Sequence, residues 1–159
     1  MTVSAKTGLF LLVACGALLG AVPPAFGEAP RAALKFVSAQ DLAAAVATPP
    51  SDPFAKEIAA DPSATTLIIR RDKSGEVEVR TIINDIFIVR SGRATVIVGG
   101  QVKGNHELKP TEWRGGESHE LAAGDLLLIP AGVPHQCIVK PGTTFIYFTI
   151  KTPSAAAAP

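Results

Sequence analysis

At 159 residues and 16.5 kDa, the chain has room for one domain and not for two of ordinary size. Hydrophobic residues at 47% against 18% charged supply a core and exclude disorder of the whole chain. Fifteen Lys and Arg stand against fourteen Asp and Glu, and Lys6 lies in a segment expected to be removed. The balance that remains excludes a general surface for nucleic acid or for an anionic membrane.

The first element is an address. Lys6 precedes an uninterrupted apolar run, Leu9–Val22, which Pro23-Pro24 breaks ahead of the small residues of Ala25-Phe26-Gly27. As a helix the run would rise about 21 Å, short of a hydrocarbon core of roughly 30 Å. The pattern predicts a bacterial-type secretory signal peptide over residues 1–27, cleaved near Gly27-Glu28. The chain is then periplasmic or secreted, with no membrane contact after cleavage. Leu12-Val13-Ala14-Cys15 offers the alternative of lipoprotein processing at Cys15. Cleavage before Glu28 leaves Cys137 as the single cysteine, so an intramolecular disulfide is excluded.

Residues 28–66 are rich in Ala and Pro and predict a helical N-terminal extension. Ser38 and Asp41 resemble a capping box, Leu42 and Val46 share a helical face over 39–47, and Thr48-Pro49-Pro50 stops the helix. A second short helix is expected from Asp52-Pro53 to about Ala60, closed by Asp61-Pro62-Ser63. From 67 to 151 the pattern changes to strands and turns. Leu67–Arg71, Glu76–Ile82, Ile86–Val89, Ala94–Val98, Leu126–Ile129, His135–Val139 and Phe145–Ile150 read as strands. Glu76–Ile82 alternates, with Val77 and Val79 opposite Glu78 and Arg80, whereas Gln101–Gly116 reads as polar and irregular around Trp113. Ile86–Val89 and Leu126–Ile129 are apolar on both faces, which predicts a homodimer, because one barrel interior covers one face only. Short strands at this spacing indicate an antiparallel sandwich or barrel, and residues 152–159 read as a disordered tail.

Gly124-Asp125-Leu126-Leu127-Leu128-Ile129-Pro130-Ala131-Gly132-Val133-Pro134-His135 fits G-x5-P-x-G-x2-H, the second signature of the cupins. Asp85–Gly92 resembles the end of their first motif, E-x6-G, with Asp in the acidic place, and the sequence through Gly100 continues the likeness. Over about residues 66–151 the chain resembles a single-domain cupin of the type-2, RmlC-like jelly-roll kind. The fold this implies is all-β, a double-stranded β-helix (jelly-roll barrel) over 67–151, preceded by short N-terminal helices.

The resemblance also implies a metal held by an H-x-H pair, the acid and the second-motif histidine. Measured back from Asp85 with the family's spacing, the pair falls on Val79 and Thr81, or one residue earlier on Glu78 and Arg80. Neither gives a histidine. His135 and Asp85 remain, with Cys137 and Glu78 as further candidate metal ligands, and they predict no cofactor or a weakly bound divalent transition metal. Cys137 faces the same way as His135 on a strand and reads first as a buried apolar residue, with a soft third ligand as the alternative. His106 and His119 have polar neighbours and read as solvated. An inward Arg80 beside Asp85 would replace the metal by an ion pair and would hold a ligand carboxylate. Candidate ligand-binding residues are therefore His135, Asp85, Arg80 and Tyr147. Three functions follow: a barrel that binds a small polar molecule, a cupin enzyme of oxygenase or isomerase type with His135 as the catalytic candidate, or an interaction module with a vestigial pocket.

Overall fold

A computed structural model describes residues 35–103 and 112–155. The expected signal peptide, Cys15 and His106 lie outside the described residues. In chain order the elements are α1 (Ala39–Ala47), β1 (Phe54–Asp61), β2 (Ala64–Arg71), β3 (Ile83–Ser91), β4 (Arg93–Val98), β5 (Gln101–Lys103), β6 (Glu112–Arg114), β7 (Glu117–Ala122), β8 (Leu126–Ile129), β9 (His135–Ile138) and β10 (Phe145–Pro153). Two antiparallel sheets, ordered β1-β2-β10-β3-β8 and β7-β4-β9, face each other, and β5-β6 forms a separate hairpin. This is the all-β double-stranded β-helix. Among the described residues no helix is long and apolar enough to cross a membrane.

The core lies between the sheets. Ile69, Phe87, Val89, Ile129, Phe145 and Tyr147 from the larger sheet meet Ala94, Val96, Leu121 and Cys137 from the smaller one. Along β3, Asp85, Phe87 and Val89 are buried, while Ile86 and Ile88 between them stay half-buried on the outer face. The period-2 alternation of a pleated strand explains why this stretch is apolar on both sides. Gly92 makes the tight exit from β3: its φ is +81°, and a Cβ there would lie 2.0 Å from the Thr144 carbonyl oxygen.

α1 forms where the capping box predicts it. The Ser38 Oγ accepts from the Asp41 amide at 3.1 Å and donates to the Asp41 carboxylate at 2.7 Å. Its last carbonyls, on Val46 and Ala47, accept from Arg70 Nη1 at 2.7 and 3.0 Å, which ties the helix to β2 and answers orphaned groups at the helix end.

The expected second helix is instead β1. Asp61 Oδ1 accepts from the Ser63 and Ala64 amides at 2.7 and 3.2 Å, so Asp61-Pro62-Ser63-Ala64 is a hairpin turn rather than a helix stop. Pairing with β2 satisfies a backbone edge that a helix would leave open, and this outweighs the helical propensity of the alanines. Three further stretches differ from expectation. Glu76–Ile82 is extended but contributes a single bridge, Glu78 to His135. Gln101–Gly116 contains the β5-β6 hairpin, held by Val102 opposite Trp113 and by the indole N–H donating to the Gly99 carbonyl at 2.9 Å. The last strand continues past Ile150, because Lys151, Thr152 and Pro153 pair with Asp85, Asn84 and Ile83.

Candidate functional site

The second-motif segment places His135 through its backbone. Pro130 ends β8, and Gly132 takes φ +83° and donates its amide to the Arg80 carbonyl at 2.7 Å. His135 and Glu78 then exchange amide-to-carbonyl bonds, both 2.9 Å. A pair that exchanges both bonds sits directly opposite with side chains on one face, so Glu78 and His135 share the inner side.

The tautomer of His135 follows from its partner. Nδ1 lies 3.2 Å from the Val133 carbonyl oxygen, and a carbonyl can only accept, so Nδ1 carries the proton and Nε2 keeps the lone pair. The ring meets Phe87 edge-on, with centroids 6.0 Å apart. Burial pushes the imidazole below its ordinary range, with Lys151 adding to that, while the Val133 carbonyl, Asp85 and Glu78 work against it. A neutral ring results, with its lone pair on Nε2.

Asp85 is committed elsewhere. It stands opposite Lys151 in the register of β3 with β10, and Lys151 Nζ donates to its Oδ1, as does Thr149 Oγ1 at 3.1 Å. The carboxylate is 2% exposed and the lysine side chain 25%. Lys151 also lines a cleft of about 260 Å³ at this end of the barrel, together with Asp61, Thr65, Leu67 and Ile83.

A second cluster gathers around Glu78. Its Oε1 is 3.5 Å from Arg71 Nη2 and its Oε2 is 2.6 Å from Arg80 Nη2. Arg71, itself buried, donates from Nε to the Tyr147 hydroxyl at 3.0 Å. Glu78 and Arg80 thus lie on the side of buried Arg71, while Val79 between them takes the other, buried side. Arg80 Nε is enclosed and has no hydrogen-bond partner among the described residues.

Tyr147 is part of the core as well as of the cluster. Its ring packs on Phe87 and Phe145 at 4.6 and 5.0 Å, and burial pushes its hydroxyl well above the phenol range, with Arg71 pulling only part of the way back. Cys137 lies opposite Val96 on the inner face, and burial pushes its thiol up to about 11 against the pull of Arg71. His119 sits half-buried on β7, on the far side of β4 from Cys137, with Glu117 at 3.8 Å.

The residues present do not fit the family's metal set. Asp85 is occupied by Lys151 and Glu78 by two arginines, which leaves His135 and Cys137, short of the three protein ligands of a typical catalytic site. No group of three or more His, Cys, Asp or Glu side chains among the described residues is arranged to hold a metal. The structure therefore gathers His135, Asp85, Arg80, Glu78 and Tyr147 at the inner face, as two ion-pair clusters beside an imidazole. Arg71, Thr149 and Lys151 complete them and carried no motif. Their one signal is the strand alternation that puts Tyr147, Thr149 and Lys151 on a single face.

Comparison with solved structures agrees on the fold. The TT1209 protein of Thermus thermophilus is similar at a TM-score of 0.56 and 15% identity, over 76% of this chain and 98% of its own. A double-stranded β-helix domain protein from Klebsiella pneumoniae gives 0.55 at 17% identity, over 73% and 90%. The cupin domain of Schizosaccharomyces pombe Cnp3 gives 0.51 at 8%, over 65% and 66%. No protein-family profile and no curated protein matches the chain.

Proposed function

We propose that this cupin-fold protein is exported after loss of residues 1–27 and holds a small polar molecule in its barrel without a tightly bound transition metal. The observation that carries the reading is His135, buried beside Phe87 with Nδ1 engaged by the Val133 carbonyl, on a backbone paired with that of Glu78. A ligand hydroxyl or amide would find its acceptor there and its donors in the lysine and arginines. The Asp85–Lys151 pair stands where the family's acid would meet a metal, and its mutual neutralisation supports a metal-free site.

Native mass spectrometry of protein purified from its own compartment tests this, because it reports retained ligand, metal and subunit count together. A co-purifying small molecule that is lost in His135→Gln, with well under one equivalent of metal after mild chelation, is the expected result. Gln suits the test because His135 is buried, and an Ala there would also remove packing against Phe87. A stoichiometric metal that survives chelation and disappears in His135→Gln would refute the reading.

One observation favours a second function, catalysis. An imidazole held in one tautomer and kept neutral is suited to take a proton as a general base. Turnover of the co-purified molecule that is abolished in His135→Gln, while its binding persists in the variant, would select this reading over simple binding.

A further inference from the structure

The charges around Glu78 do not close. Arg71 and Arg80 bring two cations to a single carboxylate, and each Glu78 oxygen already faces one guanidinium. Of the other groups gathered at the inner face, Asp85 is matched by Lys151, His135 is neutral and Cys137 keeps its proton. Arg71, Arg80 and Glu78 together therefore sum to one positive charge. The cluster's unmet hydrogen-bonding capacity lies at the same place, because Arg80 Nε is enclosed and has no acceptor among the described residues. An arginine N–H withdrawn from water without a partner is costly, and that cost is recovered when an acceptor arrives.

Resting on the proposed small-molecule function, we infer that the ligand is a small carboxylate whose planar head takes the free Nε side of Arg80. A carboxylate matches on three counts. It is a single negative charge against a single positive surplus. Its two oxygens fit the fork of Nε–H and Nη–H donors, a geometry that an ammonium could not offer. The Arg80 and Glu78 side chains are 31% and 30% exposed, so the guanidinium is reachable by a short swing of its own side chain, although Nε itself is covered. Glu78 then acts as a competitor: it holds Arg80 Nη2 at 2.6 Å, and part of the guanidinium must be shared with it. The same competition predicts that weakening Glu78 strengthens ligand binding, which a merely structural role for this cluster would not produce.

The test compares lactate with lactamide, which differ in charge and hardly in shape, and with glycerol, by calorimetry on the full mature chain at low ionic strength. Lactate is expected to bind at least about tenfold tighter than lactamide, with Arg80→Gln erasing the difference and Arg80→Lys restoring only part of it. Glu78→Gln is expected to tighten lactate several-fold. Thermal melts of each variant confirm the fold before binding is compared. Lactamide or glycerol binding as well as lactate, and losing affinity in His135→Gln, would overturn the carboxylate assignment and leave the small-molecule function standing. Lactate binding that is untouched by Arg80→Gln, or that weakens in Glu78→Gln, would overturn the inference as well. If none of the three probes binds, the inference falls, and the presence or absence of a co-purified molecule then decides the broader function separately.

Discussion

The Asp85–Lys151 pair offers the sharpest energetic test, because its two members are unequally buried. Asp85 is 2% exposed and depends on two donors, Lys151 Nζ and Thr149 Oγ1. Lys151→Met keeps an unbranched chain of similar length but strands an enclosed carboxylate with a single neutral donor. Breaking a buried pair from one side costs about 3–5 kcal/mol. Since the lysine side chain is 25% exposed and water stands close to the pair, the lower end applies, about 3 kcal/mol. Asp85→Asn is milder. The amide oxygen still accepts from Thr149, and the Lys151 ammonium can reach solvent along its flexible stem, so about 1 kcal/mol is lost.

The double variant, Asp85→Asn with Lys151→Met, leaves no unmatched charge and should also lose about 1 kcal/mol, which makes the coupling between the sites roughly 3 kcal/mol. Urea denaturation of the mature chain near neutral pH measures all four corners, with unchanged m-values as the sign that the unfolded state is not altered. In a thermal melt, Lys151→Met should fall by roughly 10 °C. Equal losses for the two single variants, or a larger loss for Asp85→Asn, would refute the argument that burial of the acid governs the pair.

Below about pH 6.5 the unfolded chain protonates at His135 before the folded chain does, so stability should fall on acidification through that point and fall less in His135→Gln. Cys137 works at the other end. A thiol raised from 9.0 to about 11 stays protonated in the fold while the unfolded chain ionises, which removes about 3 kcal/mol as pH rises between those values, and Cys137→Ala should flatten that limb. Leu126 and Leu128, 63% and 54% exposed, continue across Ile88 and Ile86 to Phe148 and Ile150 on the outer face of the larger sheet. That apolar, uncharged surface is expected to pair two copies, and sedimentation should shift from dimer to monomer in Leu126→Glu with Leu128→Glu. Protein recovered from the periplasm or medium should begin near Glu28, and a retained Met1 or a lipidated Cys15 would contradict export as a soluble chain.

The parts of the fold legible in the sequence are those whose signal is local. Ser38 and Asp41 cap α1 through three residues of chain, and the motif from Gly124 to His135 reads as a turn, a strand, a turn and a strand start. The failures share one cause. At 54–61 the alanines describe a helix by propensity, but the deciding interaction is the ladder to β2, which no window of that length contains. At 76–82 the alternation is real, yet the neighbouring segment meets it at a single bridge, so it is extended without becoming a strand. Thr152 and Pro153 look like tail by composition and are strand because Asn84 and Ile83 stand opposite them.

The site divides in the same way. His135, Asp85, Glu78 and Arg80 stand out by type and motif spacing, whereas what each does is decided by partners far away in the chain. Asp85 is a ligand, a base or half of an ion pair according to which residue the register sets opposite, and that residue, Lys151, is 66 positions on. Arg71, which reaches the Tyr147 hydroxyl, is separated from it by 76. Register therefore decides that the acid at 85 meets a lysine. With the pairing of β3 and β10 moved by one residue, Asp85 would face Ile150 or Thr152 and lose the cation that occupies it. The lysine at 151 converts an acid in a metal-ligand position into a neutral pair, and that single cross-strand contact leaves the neutral imidazole and the surplus arginine as the groups still available to a ligand.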